Sequence, residues 1–180
     1  MSDTTPSEAP EGAVVVEIPA ATEFVSFVRV VVAAAAEFEP DMSAERIEDL
    51  RLVVSEATTN AIEANLASGT PARVRVRCDL TADGIVVEVH DEAGGFDPSS
   101  VPELPPPESP ERLLYESGLG LRLMRLLADE TEIHADRGGT DVRLVVYTDR
   151  HRRELLDGPA PPPDGAGSDE GRGESPDAAG

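Results

Sequence analysis

One segment of this chain places an acid and an amide at a spacing that suits metal-nucleotide chemistry. In SEATTNAIEAN, Glu56 and Asn60 stand four residues apart, so one helical turn would bring both side chains to the same small volume. The amide of Asn60 offers a neutral oxygen to Mg²⁺, and the carboxylate of Glu56 could accept a proton from a hydroxyl or a water. The alternative interpretation of the pair is a solvent-exposed helix edge.

Two further segments carry an acid at a strand end and a glycine-rich helix start. In VEVHDEAGGFD, Asp91 ends an apolar run and Gly94 and Gly95 follow. A carboxylate there can accept a hydrogen bond from an exocyclic amine such as adenine N6, although an aspartate in an ordinary turn is common. In ESGLGLRLM, Gly118 and Gly120 would let backbone N–H groups approach phosphates at the positive end of a helix. An ordinary loop-to-helix turn is the alternative.

The basic residues and the cysteine exclude several other kinds of site. All 15 residues counted as lysine or arginine are arginine, which excludes a Walker A loop, the strand lysine of ordinary protein kinases and a lysine Schiff base. Cys78 is the single cysteine, so neither a disulfide within the chain nor a cysteine-based metal site can form. A nucleotide would therefore be held by backbone N–H groups, a helix N-terminus and carboxylate-bound Mg²⁺.

The charge of the chain indicates its class of partner. The net charge is −21; three acids in residues 1–11 and seven acids with one arginine in 154–180 leave −12 for residues 12–153. An acidic body disfavours direct binding to nucleic acid or to an anionic membrane, and it favours a partner with a basic surface. No run reaches the roughly 18 apolar residues that span a bilayer. The acids near the N-terminus do not suit a signal peptide, so we expect a cytoplasmic protein.

Hydrophobic periodicity and turn residues predict an element order of β-α-α-β-β-loop-α-β-β. Thr22 and Ser43 are predicted to cap two helices that end near Phe38 and Leu66. A later helix, from Gly118 to Leu127, is predicted to turn Leu119, Leu123 and Leu126 or Leu127 inward. The strands are predicted at residues 13–18, 73–80, 85–90, 132–135 and 142–147, with a long proline-rich loop over 94–117.

Short turns between consecutive strands predict mainly antiparallel pairing. The expected fold is a two-layer α+β sandwich, with a mainly antiparallel mixed sheet and the helices on one face. We predict three regions: a disordered N-terminus at residues 1–11, a folded domain at 12–150, and a disordered acidic tail rich in proline and glycine at 151–180.

Taken together and in order, the three segments resemble the Bergerat-fold ATPase superfamily, which includes gyrase, histidine kinases and MutL. Its N box resembles Glu56-x-x-x-Asn60-Ala61, its first glycine box Asp91 to Gly95, and its second Gly118-Leu119-Gly120-Leu121. The phrase VVSEATTNAIEAN and the proline-rich loop resemble, more particularly, the anti-sigma factor serine/threonine kinases of the RsbW and SpoIIAB type. The resemblance covers residues 12–148 and implies a histidine-kinase-like ATPase domain.

The resemblance also implies a role for each matching residue. Asn60 would ligate Mg²⁺, and Glu56 would be the catalytic base. Asp91 would bind adenine N6, supported by Thr140 through a water. In the second glycine box, Gly118, Leu119 and Gly120 would present backbone amides to the phosphates. The residues implied in binding ATP are, in full, Asp91, Gly95, Gly118, Leu119, Gly120 and Thr140.

The implied function is that of an anti-sigma factor that binds ATP with Mg²⁺ and phosphorylates a serine or threonine of an anti-anti-sigma (STAS-type) protein. The implied enzyme is a protein serine/threonine kinase, and the phosphorylation would control release of an RNA polymerase sigma factor. The resemblance also implies a homodimer. One departure keeps a non-catalytic ATP-binding switch open as the alternative: Ala93 stands where the first box usually has its first glycine. Either Ala93 costs about 1 kcal/mol or more there, or Gly94 absorbs the bend. A surface that binds partners without nucleotide is the third hypothesis.

Overall fold

The computed structural model describes residues 12–69, 71–94 and 119–158. Its elements are, in chain order, β1 (Gly12–Pro19), a 3₁₀ turn (Thr22–Phe24), α1 (Val25–Ala36), α2 (Ala44–Ser68), β2 (Arg73–Thr81), β3 (Gly84–Asp91), α3 (Leu119–Leu127), β4 (Glu130–Asp136), β5 (Gly139–Tyr147) and α4 (Asp149–Asp157). None of the helices in these ranges is long and apolar enough to cross a membrane.

The five strands form one sheet in the order β1-β2-β3-β5-β4. Every neighbouring pair is antiparallel, and α2 packs against β2, β3 and β5 on one face of the sheet. The predicted α+β sandwich with helices on one face is confirmed. The mixed character that we expected of the sheet is wrong for the described strands, because short turns join β2 to β3 and β4 to β5 and so fix them antiparallel.

Alternation along the strands decides which side chains form the core. In β2, Val74, Val76 and Cys78 are buried, whereas the arginines between them are exposed, as expected for a strand with one covered face. Each fully buried valine, leucine or isoleucine stabilises the fold by roughly 1.5–3 kcal/mol. Burial raises the pKa of the Cys78 thiol to about 12, so this thiol is a core side chain rather than a nucleophile.

Both ends of the 25-residue α2 are set by local chemistry. The Ser43 side chain accepts a hydrogen bond from the backbone N–H of Arg46, as predicted for the N-cap. Gly69, with φ +68°, ends the helix in the left-handed conformation that glycine adopts without strain. The buried side of α2, which includes Leu50, Val54, Ala57 and Ala61, faces the core.

Two local predictions were wrong. Thr22 caps no helix, because it begins a 3₁₀ turn whose preceding residue makes no side-chain capping bond. In α3 the buried residues are Leu121 and Met124, whereas Leu119 and Leu126, which we expected inward, are exposed. Leu123 is half-buried, and Leu127, predicted as the alternative to Leu126, is half-buried and packs against the core. The apolar residues of this helix cover a broad side opposite Arg122 and Arg125, so the sequence does not narrow the buried face to one row, and packing against α2 selects the residues that turn inward.

The predicted boundary between domain and tail was also wrong, since α4 spans Asp149–Asp157 where we expected disorder from residue 151. The helix begins at an N-cap, because Thr148 accepts a hydrogen bond from the backbone N–H of His151. None of the residues of α4 is buried, so the sequence contains no buried apolar stripe from which this helix could have been predicted. The predicted disorder of residues 1–11 and 159–180 lies outside the described residues.

Candidate functional site

The N-terminal end of α3 lies against the middle of α2, where Glu56 and Asn60 are one turn apart. A Cβ built on Gly120 would lie 2.5 Å from Oε2 of Glu56, and 3.5 Å and 3.6 Å from Nδ2 and Oδ1 of Asn60. A Cβ cannot remain at 2.5 Å from another heavy atom, so any other residue at position 120 would displace the end of the Glu56 side chain. Three residues that are separated by up to 64 positions in the sequence therefore meet at one place.

Glu56 and Asn60 both direct polar groups to this place without using them in the fold. Glu56 is partly buried and Asn60 is exposed, and no hydrogen bond or ion pair to another described residue involves either side chain. Their oxygens are available to a ligand. By contrast, Ser55, one residue earlier on the same helix, donates its hydroxyl to the carbonyl of Arg51.

Asp91 lies at the end of β3 and pairs with Thr140 on β5, and both are buried. Oδ1 of Asp91 accepts a hydrogen bond from the backbone N–H of Ala93 at 2.9 Å, which closes a turn directly after the strand. Oδ2 accepts no hydrogen bond from the described residues. A carboxylate oxygen left open in this way can accept a hydrogen bond from a ligand amine.

Gly139 allows β5 to approach the end of β3 closely. Its φ is +147°, and a Cβ on it would overlap the carbonyl oxygen of Asp91. Any other residue would force the strands apart next to Asp91. The glycine therefore fixes the position of the Asp91 backbone from the side of β5.

In the turn after β3, the positive φ falls on Gly94 and not on Ala93. No non-glycine residue among the described ones has a positive φ, whereas Gly94 has φ +81°. Gly94 absorbs the bend, and Ala93 remains in an unstrained conformation. The second of the two alternatives stated for Ala93 is therefore confirmed.

Sequence reasoning missed Asn65, which holds the same turn from the side of α2. Its side chain is fully buried; Oδ1 accepts from the backbone N–H of Glu92 at 3.1 Å, and Nδ2 donates to the carbonyl of Ala72 at 3.5 Å. The signal available in the sequence was a polar residue on the buried stripe of α2, at i+4 from Ala61. That position predicts a buried amide but not its partners.

A buried arginine, Arg46, anchors α3 against the start of α2. Arg46 donates to Asp49 at 2.9 Å, to the carbonyl of Leu127 at 3.3 Å and to the carbonyl of Tyr147 at 3.3 Å, and it forms an ion pair with Asp129. These contacts join the start of α2 to the ends of α3 and β5. The far end of α3 is thereby anchored, which helps to keep Gly120 against Glu56.

The arrangement fits a nucleotide with a hard divalent cation. An amide oxygen and a carboxylate are ligand types that suit Mg²⁺, which usually takes one or two protein oxygens and completes its shell with water and phosphate. Within the ranges that the structure describes, no cluster of three or more His, Cys, Asp or Glu side chains could hold a metal ion. Two of the predicted residues, Gly95 and Gly118, lie outside the described ranges, and Leu119 is exposed at the start of α3.

Comparison with known proteins identifies a matching family and relatives that cover most of the chain. The histidine kinase-like ATPase domain family matches residues 18–146. The serine-protein kinase RsbW of Bacillus licheniformis is 36% identical over 138 residues, which is 74% of this chain and 84% of that protein. The anti-sigma F factor of Caldanaerobacter subterraneus is 35% identical over 130 residues, which is 71% of this chain and 87% of that protein.

A solved structure agrees with the fold. The crystal structure of the RsbU and RsbW domains of a Mycobacterium tuberculosis protein superposes with a TM-score of 0.57 at 20% identity. The match covers 78% of this chain and 33% of that one. At this identity the likeness supports the α+β architecture alone.

Proposed function

This chain belongs to the histidine kinase-like ATPase domain family, and from that premise we propose that it is an anti-sigma factor that phosphorylates an anti-anti-sigma partner with ATP and Mg²⁺. Its relatives include several serine-protein kinases at 31–36% identity, and the chain is a protein serine/threonine kinase of the same kind. The substrate is a serine or threonine of a STAS-type protein. The second partner is an RNA polymerase sigma factor, which is released when that substrate competes for the kinase.

The observation that carries this proposal is the convergence of Glu56, Asn60 and Gly120. Phosphoryl transfer depends mainly on positioning and on stabilising charge, and these residues supply both. The N-terminus of α3 at Gly120 offers backbone N–H groups and a positive dipole end to phosphates. The amide oxygen of Asn60 takes a ligand position on Mg²⁺, and the chemistry that the cation supplies when bound is neutralisation of phosphate charge.

The protein hydroxyl that attacks must lose a proton, and Glu56 is the base that accepts it. It is a carboxylate with no hydrogen-bond partner among the described residues, and it lies beside the helix end proposed to bind phosphate, which is the location that a base for this reaction requires. At the other side of the site, Oδ2 of Asp91 accepts a hydrogen bond from the adenine amine, and Thr140 beside it supports that contact. The remaining binding residues of the proposal are Gly95, Gly118 and Leu119.

We expect the protein to act in the cytoplasm as a homodimer. The acidic body favours the basic surfaces of an RNA polymerase sigma factor as a partner. The non-catalytic switch was kept as an alternative because Ala93 could be strained in the first glycine box. Since Gly94 rather than Ala93 has the positive φ there, that strain does not favour the switch. It stays as an outcome of the test.

The test is calorimetric titration of the full chain with ATP, with and without Mg²⁺, followed by incubation with labelled ATP and a STAS-type partner. Mg²⁺-dependent binding that Asn60→Ala weakens, and label on the partner, would support the kinase. Binding without any transfer to a partner would support the switch. No binding by the wild type at millimolar ATP would overturn the nucleotide site and leave a protein-binding surface only.

A further inference from the structure

We infer that Asn65 is a positioning residue that holds Asp91 and thereby sets the preference of the site for adenine over guanine nucleotides. The inference rests on the proposed function, because it assumes that Asp91 reads the base. Asn65 touches no part of the ligand in this account. It acts through the backbone of the residue that follows Asp91.

The first step is that Asn65 is built into the fold as a bridge. Its side chain is fully buried, and an amide buried without partners would be costly. Both ends of the amide are used: Oδ1 accepts from Glu92 N–H at 3.1 Å and Nδ2 donates to Ala72 C=O at 3.5 Å. The side chain therefore ties the last turns of α2 both to the residue before β2 and to the residue after β3.

The second step is that the backbone on either side of Asp91 is held from two elements. On the side of β5, Asp91 pairs with Thr140, and Gly139 packs against its carbonyl. On the side of α2, the bond from Asn65 fixes the peptide that joins Asp91 to Glu92. If this second support were removed, only the turn bond from Ala93 N–H to Asp91 Oδ1 would remain on that flank, and the carboxylate could turn about its strand end.

The third step is that base discrimination needs a fixed carboxylate. Adenine carries an amine donor at C6, whereas guanine carries a carbonyl acceptor there. The open oxygen of Asp91 can accept from the first and repels the second. Discrimination of this kind is large only when the buried polar group cannot move away to find another partner, so a loosened Asp91 would bind ATP less well while losing its bias against GTP.

The chemistry of the bridge explains the choice of residue. One group must accept from an N–H and donate to a C=O at the same time, which asparagine does and neither aspartate nor leucine does. Asn65→Asp keeps the acceptor for Glu92 N–H, loses the donor to Ala72 and brings a carboxylate into the buried position. Asn65→Leu keeps the number of side-chain heavy atoms and loses both bonds. The two variants therefore separate the support of the Asp91 turn from the packing of the helix.

The experiment measures the Kd of the full-length protein for ATP and for GTP by calorimetry with Mg²⁺. In Asn65→Leu we expect the affinity for ATP to fall about tenfold or more and the affinity for GTP to change little, so that the ATP-to-GTP ratio falls. In Asn65→Asp we expect the ratio to stay near that of the wild type. The matched control is Thr58→Val, on the same helix, because Thr58 is also fully buried and its hydroxyl has no hydrogen-bond partner in the described part of the chain.

Each outcome decides the question. An equal fall of both affinities in Asn65→Leu would show a structural role only and would overturn the inference. An unchanged ATP-to-GTP affinity ratio in Asn65→Leu would also overturn the inference. A lowered ratio in Thr58→Val would overturn it as well. If Asn65→Leu does not fold, Asn65→Ala, which also removes both bonds, takes its place: a lowered ATP-to-GTP affinity ratio supports the inference, and an unchanged ratio overturns it. Failure of the wild type to bind ATP would instead overturn the proposed function.

Discussion

At Gly120, α3 comes close to Glu56 of the proposed site, because glycine has no side chain there. We predict that Gly120→Ala lowers the affinity for ATP at least tenfold, because its methyl group must displace Glu56 from the position where the two helices meet. The fold should persist, since alanine is favoured over glycine inside a helix by roughly 0.5–1 kcal/mol. Calorimetry with ATP and a thermal melt would measure the two effects.

The matched control for Gly120 is Gly12→Ala. A Cβ at Gly12 meets nothing within 4 Å, so that variant should bind ATP as the wild type does. If Gly120→Ala kept wild-type affinity, the contact between α3 and Glu56 would not belong to the nucleotide site.

Glu56 can be tested separately from binding. We predict that Glu56→Gln slows phosphoryl transfer to the partner by about 10²–10⁴-fold, which is the usual contribution of a general base. Because glutamine has nearly the same volume, the contact with Gly120 is preserved and the Kd for ATP should change by no more than about threefold. Single-turnover assays with labelled ATP would show the result, and transfer at the wild-type rate would remove Glu56 as the base.

The residues of the site differ in how far the sequence could reveal them. Glu56, Asn60 and the glycines are recognisable because their spacing along the chain already carries the chemistry. Asn65 was missed, because its function depends on meeting Glu92 and Ala72, and that meeting is decided by how α2 lies against the sheet. Gly94 was one of two alternatives until the backbone angles distinguished it from Ala93.

At the level of whole elements, strands and hairpins were predictable and helix faces less so. The β2–β3 and β4–β5 hairpins follow from alternation and turn residues, which act over a few positions. The residues of α3 that turn inward depend on the partner helix, because the apolar side of α3 is broader than the face that becomes buried. Similarly, α4 is a short polar helix held in part by contacts to other elements, such as the Asp149 carboxylate that accepts from Ser43 N–H at 3.0 Å, and no local pattern encodes them.

The connection between α1 and α2 contains a buried acid that the fold does not satisfy. Glu39 is 3% exposed and its Oε2 has no hydrogen-bond partner among the described residues. Burial raises the pKa of Glu39 above its ordinary value of 4.5, partly offset by a backbone hydrogen bond from Asp41. The folded state therefore favours the protonated acid, so the native structure loses stability as pH rises through the folded pKa and Glu39 becomes charged.

We predict that Glu39→Gln raises the Tm by a few degrees at pH 7, because glutamine remains neutral in the buried position. The gain should shrink as pH falls towards 4.5 and below, where wild-type Glu39 is itself neutral. Thermal melts of both proteins from pH 4 to pH 8 would measure it. A gain that did not depend on pH would show that charge at Glu39 is not the cause.

At the scale of the whole molecule, the excess of acids is spread over the chain. Residues 12–153 carry −12 of the total −21, although ion pairs such as that of Arg46 with Asp129 neutralise part of the body locally. A field of this sign draws a basic partner at long range and repels nucleic acid. It contributes more to the rate of encounter than to the final affinity.

We predict that association with the proposed sigma-factor partner slows about tenfold between roughly 0.05 and 0.5 M salt, because added ions shorten the range of the field. Stopped-flow measurement of the association rate would test this. A variant ending at residue 158 lacks five acids and one arginine, which is −4 of the total charge, so it should keep most of the salt dependence if the body attracts the partner. Loss of that dependence in the shortened variant would assign the attraction to residues 159–180, and a rate indifferent to salt in both proteins would show that charge does not guide the encounter.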